Sequence, residues 1–357
     1  MDRHRHPARP RTSTRSSTVT PDQHPLSGAR VLVTGADGFI GSHVVERLLA
    51  AGAEVTAFCM YNSFGTLGWL DESETFQAAL AEDRARTVLG DIRDPEHVRE
   101  AVAGQRIVLH LAALIAIPHS YSAPRSYVDT NIGGTLNVLE AARQHGIERL
   151  VHTSTSEVYG TPDSVPISED HALKGQSPYS ASKIGADKLA ESYARSFELP
   201  LTVLRPFNTF GPRQSARAVI TTVLSQLLAG AERIRLGALS PQRDFTFVTD
   251  TADGFARAAV ADLEPGATVQ LGTGRTVSIG ELVELCKTVT GNDAAVEHDE
   301  DRVRPAASEV EILLSDPSLA GELLGWSPTV GLEDGLARTA DWLRGRVDLA
   351  TAQRYHR

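Results

Sequence analysis

Cysteine is scarce in this chain: of 357 residues only Cys59 and Cys286 carry a thiol. Two thiols build neither a disulfide framework nor a cysteine-based zinc site within one chain, so the reading is a reduced, cytoplasmic protein. No run of 18 apolar residues occurs, which excludes a membrane-spanning helix and a membrane partner. Positive charge is also short. The formal net charge of -10 argues against a nucleic-acid partner held by a basic face. Gly 29 and Pro 18 are too few and too scattered for a collagen-like or low-complexity chain. No HxxxH or HExxH spacing is present, so no metal site is expected, and His110 and His152 read as packed strand residues.

Residues 1–27 read as a disordered basic tail, with Arg3, Arg5, Arg9, Arg11 and Arg15 against Asp2 and Asp22. They lack the apolar stretch of about 7–15 residues that a secretory signal needs. Beyond them, short apolar runs (RVLVTG, EVTAFCM, ARTVLGD, RIVLHLAA, ERLVHTST, LTVLRPF) alternate with segments of helical spacing. That alternation predicts right-handed crossovers and a parallel sheet covered on both faces, a doubly wound α/β domain of Rossmann type. After about Phe210 the rhythm breaks. We expect the dinucleotide-binding domain over 28–210, with 244–274 returning to it. A smaller C-terminal substrate-binding lobe is expected over 211–243 and 275–345, followed by a tail over 346–357.

Three motifs carry chemistry. Gly35, Gly38 and Gly41 lie between a strand and a helix, where glycines let the backbone approach a pyrophosphate at the helix N-terminus. The acid expected at the end of the second strand is missing: Phe58-Cys59-Met60-Tyr61-Asn62 contains none, and no Arg or Lys lies nearby for a 2′-phosphate. NAD is therefore the expected cofactor with NADP not excluded, and Asn62 or Ser63 is the substitute contact for the ribose. Asp91 is placed for the adenine amino group, whereas Asp94, before Pro95, reads as a helix cap. Second, Tyr179 and Lys183 stand at i and i+4, on one helix face, where an ammonium favours phenolate. Third, Thr155, Ser156 and Glu157 follow a strand at its carboxyl end, where ligands bind in open α/β sheets. Among single residues, Trp69 is a candidate for the sugar pocket, His119 for a sugar contact, and Asn131 sits mid-helix, where an amide often satisfies a backbone kink.

Taken in order, VTGADGFIGSH, GDIRD, LHLAA, DTNIGGTLNVLEAA, STSEVYG, PYSASK, RPFNTFGPRQ, RDFTFVTD and LGWSP resemble the extended short-chain dehydrogenases/reductases of the nucleotide-sugar epimerase/dehydratase kind. The resemblance runs from about Arg30 to Arg344. It implies that Thr155, Tyr179 and Lys183 are the catalytic hydroxyl, base and supporting lysine, joined by Ser156 and Glu157. The cofactor set it implies is Gly35, Gly38, Phe39, Ile40, Gly41, Asn62, Ser63, Asp91, Ile92, Leu111, Ala112, Ala113, Tyr179 and Lys183. A nucleotide-diphosphate sugar would be held by Asn208, Arg213, Arg243 and Arg304, within segments that begin at Arg205. The Glu in TSEVYG resembles 4,6-dehydratases. FCMYNSFGTLGWLDES, SPYSASKIGADKLAESYARSF and RPFNTFGPRQSARAVITT are similar to bacterial UDP-N-acetylglucosamine 4,6-dehydratases of the legionaminic-acid type. The expected reaction is a lyase reaction giving a 4-keto-6-deoxy sugar. A 4-epimerase, a UDP-glucuronate decarboxylase and a non-catalytic dinucleotide sensor or scaffold are the alternatives. Apolar residues on several faces of 126–145 (Ile132, Leu136, Val138, Leu139) and 180–197 (Ile184, Leu189, Tyr193, Phe197) point to a homodimer built on four helices.

Overall fold

Strand runs that are apolar at consecutive positions need cover on both sides, and this chain supplies it. In the computed structural model, which describes residues 24–303 and 305–347, six such runs form β1 (Arg30–Thr34), β2 (Glu54–Met60), β3 (Ala85–Gly90), β4 (Ile107–His110), β5 (Arg149–Thr153) and β6 (Leu201–Pro206). With the strand Ala267–Leu271 they make one seven-stranded sheet, ordered Ala267–Leu271, β6, β5, β4, β1, β2, β3, every pair parallel. Alternation along β1 sends Val31 and Val33 into one core and Leu32 into the other. The strand order reverses between β1 and β4, which opens a crevice at the carboxyl ends of those strands.

Two elements within 244–274 contact the sheet and its covering helices. The helix Val248–Ala258 lies along α1 (Phe39–Ala50), and Ala267–Leu271 pairs with β6. The other segments form short two- and three-stranded sheets and the helices Val219–Leu228, Ile279–Thr290 and Leu332–Leu343 around a separate apolar cluster. Two stretches depart from the expected boundaries. Leu26, inside the expected tail, is fully buried in the core beside α1. Ala320, Leu324 and Trp326, inside the expected lobe, pack in that same core, and the Trp326 indole donates to the Asp250 carbonyl at 2.8 Å. Residues 1–23 and 348–357 lie outside the described residues, and so does Arg304. No helix among the described residues is long and apolar enough to cross a membrane.

Candidate active site

The crevice widens into a cavity of about 720 Å³ between the sheet ends and the lobe. Its floor is the turn from β1 into α1. Gly35 has φ +68, and an added Cβ would sit 2.9 Å from the Ala112 Cα; at Gly41 it would sit 2.0 Å from the Gly35 carbonyl oxygen. Both positions therefore require glycine. The first turn of α1 has no side-chain cap and no acid, so its N–H groups face the cavity without an internal anion. Phe39, Ile40, Asp91, Ile92, Leu111, Ala112 and Ala113 line the same wall as Gly35, Gly38 and Gly41.

The opposite wall comes from β5 and the helix Pro178–Phe197. Ser177 caps this helix by accepting from the Ser180 N–H at 3.1 Å, in a capping box with Pro178 in the first turn. That fixes the start of the helix and puts Tyr179 and Lys183, both nearly fully buried, one turn apart on the cavity side. The Lys183 ammonium donates to the Thr153 carbonyl at 2.6 Å. Burial lowers its pKa to about 8, with the Asp187 carboxylate pulling the other way. Thr155 caps the short helix Ser156–Tyr159 by accepting from the Glu157 N–H at 3.3 Å. Its hydroxyl also acts to lower the pKa of the Tyr179 phenol. Ser156 and Glu157 line the cavity on the same loop. The buried Thr153 hydroxyl in that wall has no hydrogen-bond partner among the described residues.

The expected lowering of the Tyr179 phenol by Lys183 is not met by the protein's own groups. Burial pushes the phenol up, the Thr155 hydroxyl pulls it down, and the Glu157 carboxylate adds to the rise. Lys183 is committed to Thr153 and does not contribute.

Behind Lys183 lies a buried polar cluster that the sequence did not reveal. Asp187, fully buried, accepts from Ser154 Oγ at 2.6 Å and Arg205 Nη2 at 3.0 Å, with His152 Nε2 at 3.1 Å. Arg205 continues to the Tyr159 hydroxyl at 2.8 Å, which donates to Gln270 Oε1 at 3.0 Å. Burial alone would raise the Asp187 carboxyl, but the His152 bond and the Arg205 charge hold it well below the usual carboxylate range. Arg205, expected in a diphosphate-holding segment, is therefore turned into the core by Asp187. Asn131 does a similar job nearby. It sits in a π-helical turn, Val128–Gly133, accepts from the Leu114 N–H at 2.8 Å and donates to Ser182 Oγ at 2.9 Å. It thereby ties the cavity wall to the helix that carries Tyr179 and Lys183, a longer-range role than a local kink.

Other expectations shift as well. Asn208 lines the cavity, but Arg213 is held by Glu46 at 2.7 Å and Arg243 by Glu309 at 3.0 Å, and neither lines it. Arg304 is outside the described residues. Asn62 donates to the Thr66 carbonyl at 2.8 Å and accepts from the Phe64 and Thr66 N–H groups, so its amide is satisfied by its own loop; Ser63 does not line the cavity either. Cys59 is fully buried in the core, because alternation along β2 gives the cavity to Phe58 and Met60. Trp69 packs edge-on against Trp342 at 5.3 Å instead of lining the pocket. His119 does line it. His110 hydrogen-bonds Thr34 at 2.9 Å and Thr135 at 3.0 Å, as a packed histidine does. Asp94 caps its helix by accepting from the Glu96 and His97 N–H groups. A cation that the sequence reading overlooked, Arg93, stands on the cavity wall paired with Asp91 at 2.5 Å.

Known proteins share this arrangement along nearly their whole length. The family profile described as GDP-mannose 4,6 dehydratase matches residues 32–339. The chain is 34% identical to a UDP-glucose 4-epimerase of Mycolicibacterium smegmatis, covering 89% of this chain and 99% of that protein. It is also 34% identical to a dTDP-glucose 4,6-dehydratase of Actinoplanes sp., covering 88% and 98%. The solved structure of DesIV, a dTDP-glucose 4,6-dehydratase from Streptomyces venezuelae with NAD and TYD bound, superposes with a TM-score of 0.80 at 31% identity, covering 88% of this chain and 97% of that one. The chain belongs to the nucleotide-sugar epimerase/dehydratase family of extended short-chain dehydrogenases/reductases.

Proposed function

We propose that this protein is an NAD-dependent nucleotide-sugar 4,6-dehydratase acting on UDP-N-acetylglucosamine. The observation that carries the reading is Glu157: a carboxylate on the cavity wall, on the same loop as Thr155 and acting electrostatically on Tyr179. An epimerase needs no second base beside its tyrosine, whereas elimination across C5 and C6 does.

The residues present fit a dinucleotide. The uncapped first turn of α1 would take the pyrophosphate, and Tyr179, Lys183 and the unpartnered Thr153 hydroxyl would face its nicotinamide end. NAD⁺, when bound, supplies the hydride acceptor and donor and a positive charge beside the phenol. Tyr179 takes the proton of the C4 hydroxyl, and Thr155 steadies the oxygen that becomes a ketone. Lys183 would hold the ribose hydroxyls while its ammonium stays anchored to the Thr153 carbonyl. The C4 ketone acidifies C5–H, Glu157 removes that proton, and hydroxide departs from C6 as water after protonation through Glu157 or Ser156. The C5=C6 enone left behind would take the cofactor's hydride at C6 and a proton at C5 through Glu157, giving the 4-keto-6-deoxy sugar. The relatives named as epimerases support a second reading, inversion at C4.

Incubation with a panel of UDP-, dTDP- and GDP-sugars, followed by mass and NMR analysis, separates the readings. A 6-deoxy methyl signal supports dehydration, an inverted C4 epimerisation, and a lost carbon decarboxylation. Binding of NAD without turnover of any sugar supports a sensor. We also propose a homodimer. Val138 and Leu139 are consumed by the core, but Leu136 and Phe197 remain exposed at 38% and 52% on the two candidate helices. Sedimentation is expected to give a dimer at micromolar concentration, and a monomer contradicts it.

A further inference from the structure

The end of β2 poses a question of charge. In this fold an acid there accepts from the adenosine ribose hydroxyls and excludes a 2′-phosphate. Here the strand supplies none: Cys59 points into the core, and the Asn62 amide is bonded within its own loop. A carboxylate nevertheless reaches that spot from another element. Asp37, inside the glycine turn, lines the cavity together with Phe58 and Met60. Its carboxylate is stabilised by the backbone N–H of Met60, the last residue of β2. The turn is pinned there, since the Trp69 N–H donates to the Asp37 carbonyl at 3.1 Å.

We propose that Asp37 is the residue that reads the adenosine ribose and selects NAD over NADP, taking the place of the missing strand-end acid. A carboxylate has about four acceptor positions, and the backbone N–H groups of Asp37 and Met60, which lower its pKa, leave room for a ribose diol. The surroundings do not neutralise it. Burial pushes its pKa up, only backbone N–H groups oppose that, and no cation contributes. Its charge is felt at the Cys59 thiol, as is that of Asp71. The cation on the adjoining wall, Arg93, is engaged by both carboxylate oxygens of Asp91. A ribose diol can donate to this carboxylate; a 2′-phosphate meets an unneutralised negative charge.

The inference rests on the cavity's being a dinucleotide site and not on which sugar reaction follows. Its test is equilibrium binding of NAD⁺ and of NADP⁺ to nucleotide-stripped protein, by calorimetry without any sugar. The wild type is expected to prefer NAD⁺ by at least about 100-fold, and Asp37→Asn to reduce that ratio by about 10- to 100-fold, mostly through tighter NADP⁺. Asp37→Ser, which removes the charge with a smaller side chain, is expected to shift the ratio the same way. Circular dichroism and the retained NAD⁺ stoichiometry report that each variant is folded. A ratio unchanged within about threefold in both variants, or a wild type that prefers NADP⁺, overturns the proposal. So does a loss of wild-type NADP⁺ affinity beyond about tenfold in Arg93→Gln, because the phosphate would then be welcomed by Arg93. Failure of the dehydratase reading looks different: the product changes while the binding ratio stays.

Discussion

The two ends of the cavity are built by opposite rules. At the Tyr179 end, long-range bonds tie the wall to buried partners: Lys183 to the Thr153 carbonyl, Ser154 to Asp187, and the helix that carries Tyr179 to Asn131 through Ser182. At the β2 end, the loop satisfies itself. Asn62 bonds its own neighbours, Asp91 bonds Arg93 two residues away, and Tyr61 and Phe64 are exposed at 69% and 87%. Proton transfer demands fixed geometry, and fixed geometry needs long-range buried bonds. Recognition of a ribose needs one correctly placed charge, which a turn supplies. Long-range buried bonds are concentrated around Tyr179 and Lys183.

Breaking the buried end should have the largest effect on stability. Asp187→Asn leaves the Arg205 guanidinium, itself only 2% exposed, without its counter-charge. A loss of about 3–5 kcal/mol in urea unfolding is expected. A loss under about 1 kcal/mol would mean that the cluster relaxes or hydrates freely.

Lys183 sharpens the comparison through pH. Its folded pKa of about 8 lies below the ordinary 10.5, so between those values the unfolded chain binds more protons. The cost of the buried ammonium is full below pH 8 and is relieved as pH rises towards 10.5. Wild-type stability should therefore gain on the order of 3 kcal/mol from this group across that window, a gain that Lys183→Met abolishes. Unfolding at pH 7.5, 9 and 10.5 checks it, and parallel curves for the two proteins contradict it. The smallest effect belongs to the other end. Asn62→Ala removes exposed loop bonds and should cost only about 1 kcal/mol, with NAD⁺ affinity nearly unchanged. A large loss of affinity there would mean that the loop is part of the ribose contact after all.

What was legible in the sequence follows the same division. Six of the sheet's seven strands are readable because they are apolar at consecutive positions and alternate with helical spacing; Ala267–Leu271 carries no such signal. The lobe's strands, such as Gln242–Arg243 and Val277–Ser278, are two residues long and carry no period to read. Tyr179 with Lys183, and Thr155 with Glu157, are local spacings, so their convergence could be anticipated. Arg205 could not be placed the same way, because its partner Asp187 comes from another element and only the fold makes them neighbours. Cys59 shows how thin the margin is. One step along a strand reverses the face, so a strand-end position read from spacing alone falls on the cavity or in the core.

The central claim, that Glu157 is the base for elimination while Tyr179 serves oxidation, is tested most directly by single-turnover spectroscopy of Glu157→Gln with UDP-N-acetylglucosamine. Gln keeps the shape and removes the base, which should slow the step it serves by about 10²–10⁴-fold. Reduced dinucleotide should accumulate on the protein while almost no 6-deoxy sugar forms, and Tyr179→Phe should suppress both signals. Near-normal 6-deoxy formation by Glu157→Gln, or C4-inverted sugar at the wild-type rate, contradicts the dehydratase reading.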